Sequence, residues 1–144
     1  MKKGSLLIFF FPLYCYVQNA PSDANIIVIK NVGFNPQVCN TLLDSGYSID
    51  KKDNDLHTVR TDTKQYEKYW NATYRVNIRI KDSVAYISAT FTARPGGGLF
   101  KDEQVSNHTN RKGITLQKSM DGYIFLLLND FALGFKQEVS YLKK

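Results

Sequence analysis

The chain has 144 residues with 43% hydrophobic content, which is enough for one substantial core but not for two. Two cysteines and two histidines leave little material for a disulfide framework or a metal cage. The formal charge of +6 is typical of proteins that bind nucleic acid or anionic membranes. Removal of an N-terminal segment with Lys2 and Lys3 would take the charge from +6 to +4, since no acidic residue precedes Asp23, and we therefore expect no nucleic-acid partner.

Residues 1–20 have the pattern of a secretory signal. Lys2 and Lys3 form a basic start, and residues 6–17 form an apolar run that Pro12 interrupts. A run of this length is too short to cross a bilayer as a helix, and polar residues follow it. The pattern predicts an exported protein that is located in the periplasm or is associated with the outer membrane.

The cleavage site of the signal decides whether the exported protein is anchored to a membrane by a lipid or released. Cys15 stands at the end of the apolar run, where a bacterial lipoprotein carries its lipid-modified cysteine, but residues 12–14 do not match the preferred residues before such a site. The competing interpretation is cleavage after Val17 or Ala20, which leaves an unmodified chain. We favour cleavage near residues 17–20 over a lipid anchor at Cys15, and we expect residues 21–144 to form one domain.

The first elements of that domain are a strand and a short helix. Residues 26–30 form a continuous apolar run between asparagines, which predicts a strand buried on both faces. Asn35 and Pro36 form a helix start signal and Gly46 forms a stop signal. Cys39 lies on the apolar face of this predicted helix, so we expect a buried structural thiol.

Two hairpins are predicted next. Residues 47–50 and 56–62 alternate around a turn-rich segment, with His57 in the second strand as an ordinary structural residue. Residues 73–93 form the clearer hairpin, with Asp82 and Ser83 as its turn. That register places apolar pairs on one face (Ile80–Ala85, Ile78–Ile87, Val76–Ala89 and Tyr74–Phe91) and polar pairs on the other (Arg79–Tyr86, Asn77–Ser88 and Arg75–Thr90).

The last part of the chain is predicted to be a long loop and a long helix. Residues 94–113 are rich in glycine and polar residues, and residues 114–116 are a candidate edge strand. Residues 122–142 have helical periodicity over about six turns, with Asp121 as the N-cap. The predicted buried stripe of this helix consists of Ile124, Leu128, Phe131, Phe135, Val139 and Leu142.

This order, β-α-β-β-β-β-α, predicts an α+β two-layer sandwich. An antiparallel sheet of about five strands would pack on the long C-terminal helix and the short N-terminal helix. The order is similar to TATA-binding-protein-like and helix-grip arrangements. The segments LLDSGYSID, VRTDT, YRVNIRIKDSVAYISATF and EVSYLKK resemble small uncharacterised exported proteins of the Bacteroidota. This resemblance implies a module of the cell envelope, and some helix-grip domains bind apolar ligands between sheet and helix.

Two groups of residues are candidates for binding. The aromatic segment holds Tyr66, Tyr69, Trp70 and Tyr74, and with Lys64, Lys68 and Asn71 among them it is a candidate stacking platform for a sugar or a peptide. The polar hairpin face holds Arg75 and Arg79, and with Arg60 it is a candidate site for an anion such as a lipid head group. Each group also has a structural interpretation, as cover for the sheet edge and as a solvated face.

The remaining residues do not indicate an enzyme. We find no metal-ligand spacing, no phosphate-binding loop and no catalytic triad, and His57 and Glu138 have no recognisable partner group. Leu126 and Leu133 lie opposite the predicted stripe. They are candidates for contact with another chain or a membrane, and burial under the long loop explains them equally well. We expect no cofactor and a non-enzymatic binding or scaffolding module with a protein, glycan or lipid partner. The alternative is a carrier of an apolar ligand, with space left by Ala85, Ala89 and Ala93.

Overall fold

The computed structural model describes residues 20–33, 36–66, 72–93, 101–107 and 116–144. The predictions for the signal segment 1–19, including lipidation of Cys15, lie outside the described residues. The described parts of the chain form an α+β fold, as predicted, with a large antiparallel sheet and two helices. Its elements are β1 (Ile26–Lys30), α1 (Gln37–Asp44), β2 (Ile49–Asp53), β3 (Thr58–Thr61), β4 (Lys64–Gln65), β5 (Ala72–Lys81), β6 (Val84–Ala93), β7 (Lys101–Gln104), α2 (Leu116–Leu133) and β8 (Val139–Leu142).

The sheet has eight strands, and the prediction of about five was wrong. Six strands run in the order β2-β3-β5-β6-β1-β8, while β4 pairs with β5 and β7 pairs with β6. Three strands were missed. One of them, β8, lies within the predicted C-terminal helix. The other two are short and lack an apolar alternation: β4 has two residues, and β7 consists of the polar sequence KDEQ within the predicted loop. Backbone pairing with a long neighbouring strand holds them, which a pattern of side chains does not reveal.

Strand β1 lies between β6 and β8, and it is buried on both faces as predicted. Ile27 and Ile29 belong to the core on the face that meets α2, which we call the inner face. Val28 is buried on the other face, which we call the outer face. Continuous hydrophobicity in this strand therefore reflects its central position.

The hairpin of β5 and β6 has the predicted register at all seven predicted pairs. Alternate residues of β5 from Tyr74 to Ile80 are buried on the inner face, whereas Arg79 on the outer face is exposed. Asp82 and Ser83 both have left-handed backbone, with φ of 51° and 60°. Positive φ at both central residues matches the twist of the flanking strands, and this turn fixes the register.

Replacing Ser83 with glycine is expected to stabilise the protein. Ser83 has a φ of 60°, a conformation in which a side chain clashes with the backbone and glycine does not. We expect the free energy of unfolding to rise by about 0.5–1 kcal/mol, after allowance for the greater freedom of glycine in the unfolded chain. Urea unfolding of wild type and Ser83→Gly measures the difference, and Ser45→Gly, at a residue with φ of −84°, is the control that should not stabilise.

The hairpin of β2 and β3 is present, but its turn lies further along the chain than predicted. Asp53 accepts hydrogen bonds at Oδ1 from the backbone N–H groups of Asp55 at 3.1 Å and Leu56 at 2.9 Å. This carboxylate closes the turn, so the charged residues before it extend β2. His57 therefore lies in the turn with a φ of 49°, and its predicted position in a strand was wrong.

Helix α1 has the predicted position, and Gly46 ends it with a φ of 76°. The predicted cap residue, Asn35, lies outside the described residues. Val38 and Leu42 are the buried residues of this helix. Cys39 packs against the core but is only partly buried, because it lies at the border of a narrow apolar face.

Helix α2 begins before and ends before the predicted helix 122–142. The helix ends at Leu133, the backbone of Lys136 turns through a φ of 54°, and the last residues form β8 against β1. Leu116 belongs to α2, so the predicted edge strand at 114–116 was wrong at this residue, while 114 and 115 lie outside the described residues. None of the helices in the described parts of the chain has the length and apolar character needed to cross a bilayer.

The predicted buried stripe was therefore correct only for the residues that lie within α2. Ile124, Leu128 and Phe131 are buried in the core, and Phe135 is buried in the turn after the helix. Tyr141 of β8 donates a hydrogen bond to Asn129 Oδ1 at 2.6 Å, so β8 faces α2 through alternate residues. Burial of this phenol raises the pKa of Tyr141. Leu142 points to the outer face and is exposed.

Candidate functional site

A cleft of about 630 Å³ opens between the end of α1, strands β4 and β5, and helix α2. We call it the tyrosine cleft, because four tyrosines line it. A volume of this size is within the range of small-molecule sites in proteins. Its principal lining residues are Tyr47, Lys64, Tyr66, Tyr74, Tyr123, Leu127 and Phe131.

Local structure explains how these side chains converge. Tyr47 follows the glycine that ends α1, and its N–H donates to Leu42 O at 3.0 Å. Lys64 of β4 pairs directly with Tyr74 of β5, so both side chains lie on the inner face of the sheet. The side of α2 that borders the cleft presents residues spaced by four, which stack on one helix face: Tyr123, Leu127 and Phe131.

The aromatic rings hold one another in edge-to-face contacts. The ring centroid of Tyr47 lies 6.4 Å from that of Tyr74 and 6.2 Å from that of Phe131. The rings of Tyr66 and Tyr123 lie 5.5 Å apart. Such pairs add about 0.5–1.5 kcal/mol each beyond the area that they bury. Three tyrosines are buried and form a fixed floor, whereas Tyr123 is 50% exposed at the mouth of the cleft.

The polar groups that line the cleft are the phenol hydroxyls, the Ser45 hydroxyl, the Gln65 amide and the Lys64 ammonium group. The hydroxyls of Tyr47 and Tyr74 lie 3.4 Å apart within hydrogen-bonding distance. Lys64 Nζ lies 4.6 Å from the centre of the Tyr47 ring and donates to Gly46 O at 3.4 Å. No carboxylate is among the described residues that line the cleft, so its local charge is positive. The arrangement suits a ligand with a ring for stacking and neutral or anionic polar groups.

The structure divides the predicted site residues between two faces. Tyr66 and Tyr74 meet in the tyrosine cleft together with Lys64. Arg75 and Arg79 lie on the outer face, opposite the cleft. The predicted positions that lie outside the described residues are Tyr69, Trp70, Lys68 and Asn71.

Arg79 lines a second opening, a groove of about 670 Å³ on the outer face. Arg60 lines the same groove and is held by Asp50, with Nε 2.8 Å from Oδ2. Arg60 and Arg79 of the predicted polar face therefore line a recessed surface, whereas Arg75 is not among its lining residues. Ala85 and Ala89, which were expected to leave space for an apolar ligand, are buried in the core and line neither opening.

Asp121 is a buried carboxyl group that the sequence did not indicate. It lies inside α2 and is 7% exposed, so its predicted position as an N-cap was wrong. Its Oδ1 accepts a hydrogen bond from Ser106 N–H at 2.7 Å. Burial, opposed in part by this hydrogen bond and assisted by the charge of Glu103, raises the pKa of Asp121 from 3.8 to about 7.

The other titratable groups named from the sequence are dispersed. Glu138 forms an exposed ion pair with Lys30, with Oε1 2.8 Å from Nζ, and His57 lies in the β2–β3 turn. Within the described ranges, no three histidine, cysteine, aspartate or glutamate side chains are close enough to hold a metal ion.

Sequence reasoning missed Tyr47 and Tyr123 as cleft residues. Tyr47 was assigned to a strand, and Tyr123 stands beside the predicted apolar stripe of α2. The available signal for Tyr123 was an aromatic residue outside that stripe, since such a ring is exposed unless another element covers it. Leu126 and Leu133 are exposed on α2 and do not line the cleft.

The chain was also compared with known proteins. No protein-family model matches it. No curated protein matches it either.

Proposed function

We propose that the protein is a non-enzymatic binding module of the bacterial cell envelope, and that the tyrosine cleft binds a segment of a glycan. The observation that carries this proposal is the convergence of four tyrosines and Lys64 around an opening of about 630 Å³. A half-exposed ring at the mouth, Tyr123, offers a stacking surface for a sugar ring. The phenol hydroxyls and the Lys64 ammonium group offer hydrogen bonds to sugar hydroxyl and carboxylate groups.

Binding is favoured over catalysis by the chemistry of the lining residues. General acid–base catalysis of glycan cleavage uses paired carboxyl groups, and nucleophilic catalysis uses an activated hydroxyl or thiol. The described residues around the cleft include the Ser45 hydroxyl, but no carboxylate or imidazole that could activate it and no thiol. Asp121 is not among the lining residues, and its hydrogen bond to Ser106 N–H ties α2 to the chain after β7.

The second candidate function is that of a carrier for an apolar ligand. The observation in its favour is the apolar side of the cleft, where Leu127 and Phe131 of α2 stand opposite the sheet. The opening also exceeds the roughly 300 Å³ that small-molecule sites need. We rank it second because Lys64 and the phenol hydroxyls would lose hydration on contact with a purely apolar ligand.

Export belongs to the same proposal. The basic and apolar pattern of residues 1–20 supports a secretory signal, with an unmodified chain favoured over a lipid anchor at Cys15. The resemblance to helix-grip domains and to exported proteins of the Bacteroidota supports a role in the periplasm or at the outer membrane. Helix α2 packs on the inner face against β6 and β1, but β8 follows it, whereas the helix-grip arrangement ends in its long helix.

A saccharide array tests the proposal. The array would hold neutral oligosaccharides and carboxylate-bearing ones such as soluble fragments of peptidoglycan, and a fluorescent fatty acid would test the carrier function in parallel. We expect binding to at least one saccharide, with a loss of about tenfold, or about 1.4 kcal/mol, in Tyr123→Ala and in Lys64→Gln. The reason is that the first removes the stacking ring and the second removes the charged donor.

Matched controls separate the cleft from general effects. Leu126→Ala removes an exposed apolar side chain of the same helix, and Lys136→Gln removes an exposed positive charge elsewhere. Both should bind like wild type. Saccharide binding that survives in Tyr123→Ala and Lys64→Gln would refute the proposed site, and binding of the fatty acid alone would establish the carrier function instead.

A further inference from the structure

Lys64 carries the positive charge of the tyrosine cleft, and its ammonium group is held in place by two neutral groups. The Nζ atom lies 4.6 Å from the centre of the Tyr47 ring and donates to Gly46 O at 3.4 Å. Neither contact cancels the charge, and Lys64 forms no ion pair within the described ranges. The ammonium group also keeps further N–H donors for a ligand. The cleft therefore contains a positioned cation without a counter-ion from the described residues.

The surroundings of Lys64 strengthen its attraction for an anion. The side chain is only partly exposed, and the described lining of the cleft holds phenols, one hydroxyl, one amide and apolar groups but no carboxylate. Charges attract each other more strongly where water is partly excluded than in bulk water. A side chain that is already positioned also loses less freedom on binding than a mobile one. A negative charge on the ligand would therefore gain more at Lys64 than at a lysine in open solvent.

The ring that offers a stacking surface lies near this cation. Lys64 pairs with Tyr74, and two residues later Tyr66 continues the pairing with β5 by donating its N–H to Ala72 O at 2.9 Å. Side chains two residues apart in a strand lie on the same face, about 7 Å from each other. The ring of Tyr123 lies 5.5 Å from that of Tyr66. The cation and the exposed ring are thus neighbouring points of one opening, and one ligand can contact both.

We propose that the tyrosine cleft selects acidic saccharides, with a carboxylate of the ligand on Lys64 and a sugar ring on Tyr123. This selectivity rests on the glycan-binding function proposed for the cleft. A neutral saccharide would cover the ammonium group without supplying a counter-ion, which costs free energy. One ammonium group balances one negative charge, which supports a carboxylate over a phosphate monoester. The second charge of a phosphate monoester would meet no cation among the described lining residues.

Calorimetric titration with paired saccharides tests the proposal. The probes are trisaccharides of galacturonic, glucuronic and mannuronic acid and a soluble peptidoglycan fragment. Each is compared with its methyl ester, which has the same rings without the charge, and neutral oligosaccharides are titrated beside them. We expect at least one acid to bind at least about tenfold more tightly than its ester. Raising the NaCl concentration from about 50 to about 500 mM should weaken binding of the acid and leave binding of the ester unchanged.

Substitutions separate the contribution of the charge from that of the ring. Lys64→Gln should lower the affinity for the acid about tenfold and leave the affinity for the ester within about twofold, so that the preference disappears. Tyr123→Ala should weaken binding of both by a similar factor and keep the preference, because both ligands share the stacking surface. Lys64→Arg keeps the charge and should retain the preference. Lys136→Gln removes an exposed positive charge outside the cleft and should bind like wild type.

The contrary results distinguish this selectivity from the glycan-binding function itself. Equal affinities for acid and ester, or binding of neutral saccharides alone, would overturn the selectivity and leave the glycan-binding function in place. A preference that survives in Lys64→Gln would show that the carboxylate is recognised elsewhere, and equal losses in Lys64→Gln and Lys136→Gln would show general attraction by net charge. Failure of every saccharide to bind would overturn both proposals. Circular dichroism verifies the fold of each variant, and retained binding of the ester verifies the cleft of Lys64→Gln.

Discussion

The wild-type protein is expected to lose stability as the pH rises from about 4 to about 7, and Asp121→Asn is expected to abolish this loss. The folded-state pKa of Asp121 is about 7, above the ordinary value of 3.8. In this window the folded protein retains a proton that the unfolded chain has lost, so rising pH favours unfolding. The loss is complete once the pH exceeds the folded-state pKa. Since one pKa unit corresponds to about 1.36 kcal/mol, the loss in the free energy of unfolding is at most about 4 kcal/mol.

Urea unfolding at pH 4.5, 5.5, 6.5 and 7.5 measures this difference. Asparagine keeps an oxygen that can accept the hydrogen bond from Ser106 N–H, but it carries no charge at any of these values. We expect Asp121→Asn to become more stable than wild type as the pH rises. The control is Asp130→Asn, which changes an exposed carboxyl group on the same helix. Parallel profiles for wild type and Asp121→Asn would show that this carboxyl group is not buried in the folded protein.

Phe125→Ala is expected to destabilise the protein by about 3–5 kcal/mol. The Phe125 side chain is 1% exposed, and its ring lies 6.3 Å from that of Tyr141 in β8. Truncation would leave a cavity between α2 and the sheet that the surrounding strands cannot fill. Since whole domains are stable by only about 5–15 kcal/mol, this variant should unfold at much lower urea concentration.

The neighbouring residue supplies the matched control for this prediction. Leu126 is 43% exposed on α2, and Leu126→Ala should change the free energy of unfolding by less than about 1 kcal/mol. Thermal and urea unfolding of the two variants compare adjacent positions on opposite faces of one helix. Comparable effects at both positions would mean that α2 is rotated relative to the sheet, and would contradict the packing described here.

The sequence predicted the β5–β6 hairpin residue by residue. Two long alternating segments joined by Asp82 and Ser83 allow only one register that places every apolar pair on the same face. The same kind of local information failed at the end of α2. Phe131, Phe135 and Val139 continue a helical spacing, but Val139 and Tyr141 also alternate as a strand does. Gly134 after Leu133 was the local signal for the end of the helix, and pairing with β1 decided the outcome.

The tyrosine cleft was predictable only where its residues are close in sequence. Tyr66, Tyr74 and Lys64 cluster within one segment, and strand pairing keeps two of them side by side. Tyr47 and Tyr123 come from the end of α1 and from α2, and only the packing of those helices brings them to the same opening. Asp121 was misassigned because α2 begins at Leu116, before its apolar pattern does. Asp121 therefore lies within the helix, where it is buried, and not at the N-cap.

A chemical-shift map of the protein with bound saccharide tests the tyrosine cleft most directly. Amide spectra of the ¹⁵N-labelled protein would be recorded with and without the tightest-binding saccharide from the array. We expect the shift changes to concentrate around Gly46, Lys64 and Tyr123, which surround the tyrosine cleft, and the amide of Arg79 on the outer face to be unaffected. Changes confined to the outer face, or no saccharide that binds at all, would contradict the assignment of the tyrosine cleft as the glycan site.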